Sequence, residues 1–139
     1  MPKVSMASTP HQFVPGYVDM CEEYVGNWNV SIQTYLTEMD QAPFFKGAAD
    51  DLCQAHHLGY VVKGTFGVRH GDGTEEIFEA GDAFVIEPGH TPFASEGCEM
   101  VAFTPAEEAR QQAAVVMPNV MKYAQEQGVA LPAEMVAAK

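Results

Sequence analysis

Positive charge is scarce in this chain. Seven lysines and arginines stand against nineteen aspartates and glutamates, leaving a formal net charge of −12 at neutral pH. Such a chain repels phosphate backbones and anionic headgroups, and its few basic side chains are too scattered to form a stripe. Nucleic acid and membrane surfaces are therefore not expected partners. Cysteine is scarce as well: Cys21, Cys53 and Cys98 make an odd number with no C-x-x-C pair. That speaks against a disulfide scaffold and suits a reducing compartment. No apolar run approaches the roughly 20 residues of a membrane-spanning helix, and Met1-Pro2-Lys3-Val4-Ser5 offers no signal-peptide core. A cytoplasmic protein is expected. Repeats and low-complexity tracts are also missing, and 139 residues suit one domain with one core.

What the chain does have is a series of short runs divided by glycine and proline. Residues 1–13, with Pro2, Ser5, Ser8, Thr9 and Pro10, read as a polar arm that frays or lies on a neighbouring subunit. The run from Tyr17 to Val25 fits either a strand or a short helix. Asn29 to Met39 alternates more clearly and reads as a strand, and Gln41 to Asp50 as a loop. Further strands are expected at Cys53 to Val62, Thr65 to Arg69, Glu75 to Glu79, Asp82 to Ile86, Thr91 to Ser95 and Met100 to Thr104. His70-Gly71-Asp72-Gly73 marks a hairpin, because Asp and Gly accept the positive φ of tight turns. So many short strands point to an antiparallel sandwich or barrel over residues 14–104. From Pro105 the composition turns to Ala, Glu, Gln and Met, with Glu107 and Glu108 placed for a helix N-terminus. Residues 105–139 read as a helical tail that Pro118 splits in two, the second helix ending at Gly128.

The chemistry gathers between Asp51 and Pro92. On an extended strand Asp51, Cys53 and His57 share one face, where they could line a metal pocket. Thiolate and imidazole suit borderline or soft divalent metals. Three ligands, Cys53, His57 and His90, would leave a position open for water or substrate, and Asp51 would close it. The competing readings are a small buried Cys53 that binds nothing and a solvated His90 in a Pro-Gly turn. His56 points away from His57 on a regular strand, and His70 and His11 read as solvated. Glu87 could serve as an acid or base if it faced inward, but a solvated position suits it better. Tyr60, Phe66, Phe84 and Phe93 read as core or pocket wall.

The spacing of Asp51, Cys53, His57 and Gly64, followed by Gly81, Gly89 and His90, resembles the two motifs of the cupin superfamily. Asp51 and Cys53 stand where that family has a His-x-His pair, and His57 stands where it has Glu. Glu87 replaces a proline, and Pro92 falls where the final His is expected, with His90 two residues earlier. His57-Leu58-Gly59-Tyr60-Val61-Val62-Lys63-Gly64 and Pro88-Gly89-His90 are similar to a subgroup of small single-domain cupins. The resemblance implies an all-β fold, a cupin-type antiparallel β-barrel (jelly roll) carrying a C-terminal helical tail. It also implies one divalent transition metal, zinc or iron, held by Cys53, His57, His90 and Asp51, and a small-molecule ligand or substrate inside the barrel. A homodimer is expected, with the arm and the strand Asn29 to Met39 contributing. Oxygenation, isomerisation, decarboxylation and hydration all fit an enzyme of this kind. A non-catalytic module for sensing, storage or delivery, and a metal-free barrel, are the alternatives.

Overall fold

In the computed structural model, which describes residues 2–131, ten strands precede one long helix. Strands β1 (His11–Val14), β2 (Val18–Val25), β3 (Trp28–Tyr35), β10 (Glu99–Pro105), β5 (His57–Lys63) and β8 (Ala83–Ile86) form one sheet in the order β1-β2-β3-β10-β5-β8. Strands β4 (Met39–Asp40), β9 (His90–Ala94), β6 (Thr65–His70) and β7 (Glu75–Glu79) form the second, in the order β4-β9-β6-β7. Every pairing is antiparallel. Two facing antiparallel sheets with these crossovers make the jelly roll expected from the sequence. The β6–β7 hairpin turns at Gly71–Gly73, where Gly73 takes a φ of +89° and Asp72 Oδ1 accepts from the Thr74 amide at 2.9 Å.

Alternation decides what each strand places between the sheets. Val61, Phe84, Ile86, Met100 and Ala102 turn inward from the larger sheet to meet Phe66, Val68 and Ala94 of the smaller one. The opposite face of the larger sheet is covered by the arm at Cys21 and exposed over β5, β8 and part of β10. In the strand register Ile32, Val101 and Tyr60 form one row across it, and Val30, Phe103, Leu58 and Val85 the next. Val85 is 64% exposed and Tyr60 48%. Tyr60 is thus outside, because it lies out of phase with inward-facing His57 and Val61. Phe93 also lies away from the pocket, with the Arg69 guanidinium 5.5 Å from its ring centre. Phe66 and Phe84 are core, as the sequence suggested.

Several segments refine or correct the sequence reading. The run Tyr17 to Val25, open between strand and helix, is a strand from Val18 to Val25. The strand expected over Cys53 to Val62 begins only at His57, with Cys53 held by an isolated bridge. The strand expected over Asn29 to Met39 ends at Tyr35, and Met39 crosses to the second sheet to pair with Ala94. The arm lies on its own barrel: Cys21 Sγ touches the Thr9 carbonyl at 3.8 Å, His11 Nδ1 meets Asp19 at 2.7 Å, and residues 11–14 join the sheet. Lastly, Pro118 does not split the tail, and one helix, α1, runs from Ala106 to Gln127. Proline removes one N–H from the ladder. The helix is held across that point by Asn119, whose Nδ2 donates to the carbonyls of Phe44 at 2.8 Å and Lys46 at 2.9 Å. Ala106, Ala109, Ala113, Val116, Val120 and Ala124 recur at helical spacing, and Val120 packs against Val14, Phe44 and Phe45. Gly128, at φ +69°, ends the helix as expected. The tail beyond residue 131 lies outside the described residues.

Candidate functional site

A cavity of about 380 Å³ lies between the sheets with α1 as its roof. Its wall from the larger sheet follows strand alternation: Met20, Glu22 and Tyr24 from β2, Asn29, Ser31 and Gln33 from β3, Met100, Ala102 and Thr104 from β10, and His57 from β5. Phe66 and His90 come from the smaller sheet, and Ala109, Gln112 and Val116 from the helix.

Beside this wall Cys53, His57 and His90 offer donor atoms that all lie within 4.8 Å of one another; the two histidines line the cavity, while Cys53 lines a smaller neighbouring pocket of about 200 Å³ under α1. Backbone pairing causes the meeting. Cys53 forms an isolated antiparallel bridge with His90, its amide donating to the His90 carbonyl at 2.7 Å while the Gly89 amide donates to the Cys53 carbonyl at 2.8 Å. Gly89 makes that turn at a φ of +97°, a conformation that favours glycine. His57 then enters as the first residue of β5, and its Nε2 lies 3.5 Å from Cys53 Sγ.

Both imidazoles are oriented through their other nitrogen. His90 Nδ1 donates to the Glu87 carbonyl at 2.7 Å, which fixes the tautomer and leaves Nε2 as an acceptor. His57 Nδ1 meets Thr104 Oγ1 at 2.7 Å. Burial lowers both histidines, His57 to about 4, where the neighbouring His90 adds to the effect. Each is a neutral imidazole at physiological pH, the form that binds a metal. Burial raises the Cys53 thiol to about 11, against a smaller opposing effect of the Ala55 amide. Its Sγ also donates to Gln112 Oε1 at 3.6 Å. One thiol and two imidazoles, the Nε2 of His57 turned to Cys53 Sγ and that of His90 left as an acceptor, suit zinc or iron, and 3.5 Å is close to the separation of two ligands on one such ion.

Asp51, expected on the same face, is not among these donors. Asp50 and Asp51 take φ values of 57° and 58°, so a turn replaces the extended run, and Asp51 is exposed with Oδ1 accepting from the Gly47 amide at 2.9 Å. His56 does face away: it bridges Glu108 on α1 at 2.7 Å and Glu87 at 3.2 Å. Glu87 is exposed and serves the site through its backbone carbonyl. His70 pairs with Glu76 at 3.2 Å.

Three cavity residues escaped the sequence reading. Thr104 was legible as the next inward position after Met100 and Ala102. Gln112 carried no signal before the helix was known to cover the cavity. Glu22 follows Val18 and Met20 at strand spacing, a signal hidden while Tyr17 to Val25 could still be a helix. Its carboxyl is raised by burial, with a hydrogen bond from Asn29 acting in the other direction.

No family model matches the sequence, and neither does any curated protein. Solved structures do match in three dimensions. An RmlC-like cupin from Shewanella frigidimarina aligns with a TM-score of 0.53 at 19% identity, over 76% of this chain and 91% of its own. KdgF from a Halomonas species gives 0.53 at 20%, over 73% and 91%. The polyketide cyclase RemF from Streptomyces resistomycificus gives 0.56 at 17%, over 76% and 80%. The chain has the cupin fold. Among the described residues no helix is long and apolar enough to cross a membrane.

Proposed function

We propose that this chain is a metal-dependent cupin enzyme that acts on a small organic molecule in the barrel cavity. Cys53, His57 and His90 would hold one divalent transition metal, zinc in the first place and iron next. The observation that carries this reading is the convergence of the three donors beside a roofed cavity that His57 and His90 line, with His90 Nδ1 engaged by a carbonyl. When bound, the ion would supply Lewis acidity at a position open to the cavity. The chain's own residues do the rest: Thr104 orients the His57 ring, the Glu87 carbonyl orients His90, and α1 with Phe44 and Phe84 keeps bulk water from the ligand. Fold alone names no reaction. Cytoplasmic residence and a homodimer belong to the same proposal. Three free thiols suit the first, and the exposed apolar sheet face of Leu58, Tyr60, Val85 and Phe103, which the half-buried Val30 and Ile32 of β3 continue, suits the second.

The Gln112 carboxamide beside Cys53 favours a second reading, a closed, non-catalytic site. Elemental analysis of protein purified without an affinity tag, and after zinc or iron reconstitution, tests the metal. Near one equivalent is expected, and less than about a tenth in every preparation would overturn the proposal. Azide added to cobalt-substituted protein then separates the two readings. A changed visible spectrum reports an open position, and an unchanged one favours the closed binding module.

A further inference from the structure

The polar groups of the cavity are almost all uncharged. Gln41 Nε2 donates to the Tyr35 hydroxyl at 2.6 Å, that hydroxyl donates to Gln33 Oε1 at 2.6 Å, and Gln33 Nε2 donates to Ser31 Oγ at 3.0 Å. This relay of amides and hydroxyls runs along the wall built by β3. Ser31 stands across from Glu22 in the β2–β3 register, and Glu22 in turn accepts from Asn29. No lysine or arginine lines the cavity among the described residues, both histidines are neutral, and Glu22 is the only acidic side chain in the lining. The nearby guanidinium of Arg110 lies 4.7 Å over the Tyr24 ring and 3.8 Å from Glu107, on a side chain 58% exposed. Arg110 does not itself line the cavity, and its guanidinium is already engaged by the Tyr24 ring and Glu107.

We infer that the cavity takes an uncharged, oxygen-bearing ring compound, and that Glu22 is the residue that turns anionic ligands away. A buried carboxylate or phosphate needs a cationic partner to offset its lost hydration. Here an anion would find amides, hydroxyls and an acidic side chain, and no cation to offset its lost hydration. A neutral phenol, ketone or amide finds donors and acceptors along Ser31, Gln33 and Asn29, and its ring finds Phe44, Phe66 and Phe84. The volume, about 380 Å³, is in the range of pockets that enclose a compact organic molecule.

This inference rests on the reading of the cavity as a small-molecule site but not on metal occupancy, which elemental analysis decides separately. The test uses the full chain after chelator treatment, so that the protein's own groups set the preference. Its two probes have the same shape, a hydroxynaphthamide and the corresponding hydroxynaphthoate, with binding followed through naphthol fluorescence near neutral pH. The amide should bind at least about tenfold more tightly than the carboxylate. Glu22→Gln, isosteric and uncharged, should narrow that ratio to about threefold or less while leaving amide binding intact. Equal or tighter binding of the naphthoate, absence of binding by either probe up to about millimolar concentration, or an unchanged ratio in Glu22→Gln would each overturn the inference. The wild-type ratio stands by itself if the variant does not fold. Charge selection without metal uptake would refute the metal reading alone, and metal uptake without charge selection would refute this one alone.

Discussion

Metal uptake at Cys53, His57 and His90 should release one proton, and affinity should therefore rise about tenfold for each unit of pH across neutrality. The magnitude follows from the three donors. With the thiol at about 11, removing its proton near pH 7.5 costs roughly 5 kcal/mol, a cost that falls as pH rises. His57, at about 4, and His90, lowered in the same direction, are already neutral there and release nothing. Competition with a chromophoric chelator at several pH values gives the slope. Calorimetry in buffers of different ionisation enthalpy counts the protons directly. Cys53→Ala should bind far more weakly and with almost no pH dependence over the same range. A wild-type slope near zero, a slope near two, or an unchanged slope in Cys53→Ala would refute the assignment of a protonated thiol and two neutral imidazoles.

Substituting His57 or His90 with Ala should remove most of the metal, whereas His70→Ala should leave occupancy unchanged, as measured by elemental analysis. Thr104→Val, which takes the partner from His57 Nδ1, should weaken metal binding by about ten- to hundredfold without abolishing it. Phe103→Glu or Val85→Glu, each placing a charge in the apolar rows of the larger sheet, should convert a dimer into a monomer near 15.1 kDa in sedimentation at micromolar concentration. A wild-type monomer would refute the interface. Gly59→Ala would drive a Cβ into the Phe84 ring and the Val101 carbonyl, so a loss of about 1–3 kcal/mol is expected in denaturant unfolding, together with weaker ligand binding.

The barrel was legible because strand alternation and glycine turns are local signals, and the jelly roll needed little more than their number and spacing. Cys53, His57 and His90 were legible from spacing even though His90 lies two residues from the position a cupin motif would give it. Position 90 opens β9 while position 92 continues along the same face, so the displacement keeps the side chain inward. Asp51 misled because the extended run from 51 to 57 was an assumption about backbone that two left-handed residues break. Pro118 misled for a different reason. Its local cost is real, but tertiary contacts through Asn119 and Val120 carry the helix past it. Gln112 is placed by long-range packing, which no short window of sequence contains, whereas Glu22 carried a strand-spacing signal that stayed hidden while residues 17–25 fitted a helix as well.

The roof and the donors come from different parts of the chain. Strand ladders and the Cys53–His90 bridge set the positions of the candidate donor side chains, while Ala109, Gln112, Ala113 and Val116 on one helix shape the space beside them. In evolutionary terms this separates what a site can do from what it will admit. Substitutions along that face of α1 change the outline of the chamber and leave the hydrogen-bonded sheets untouched. Selection for a new ligand can therefore work on a single surface helix, with the donor set inherited unchanged.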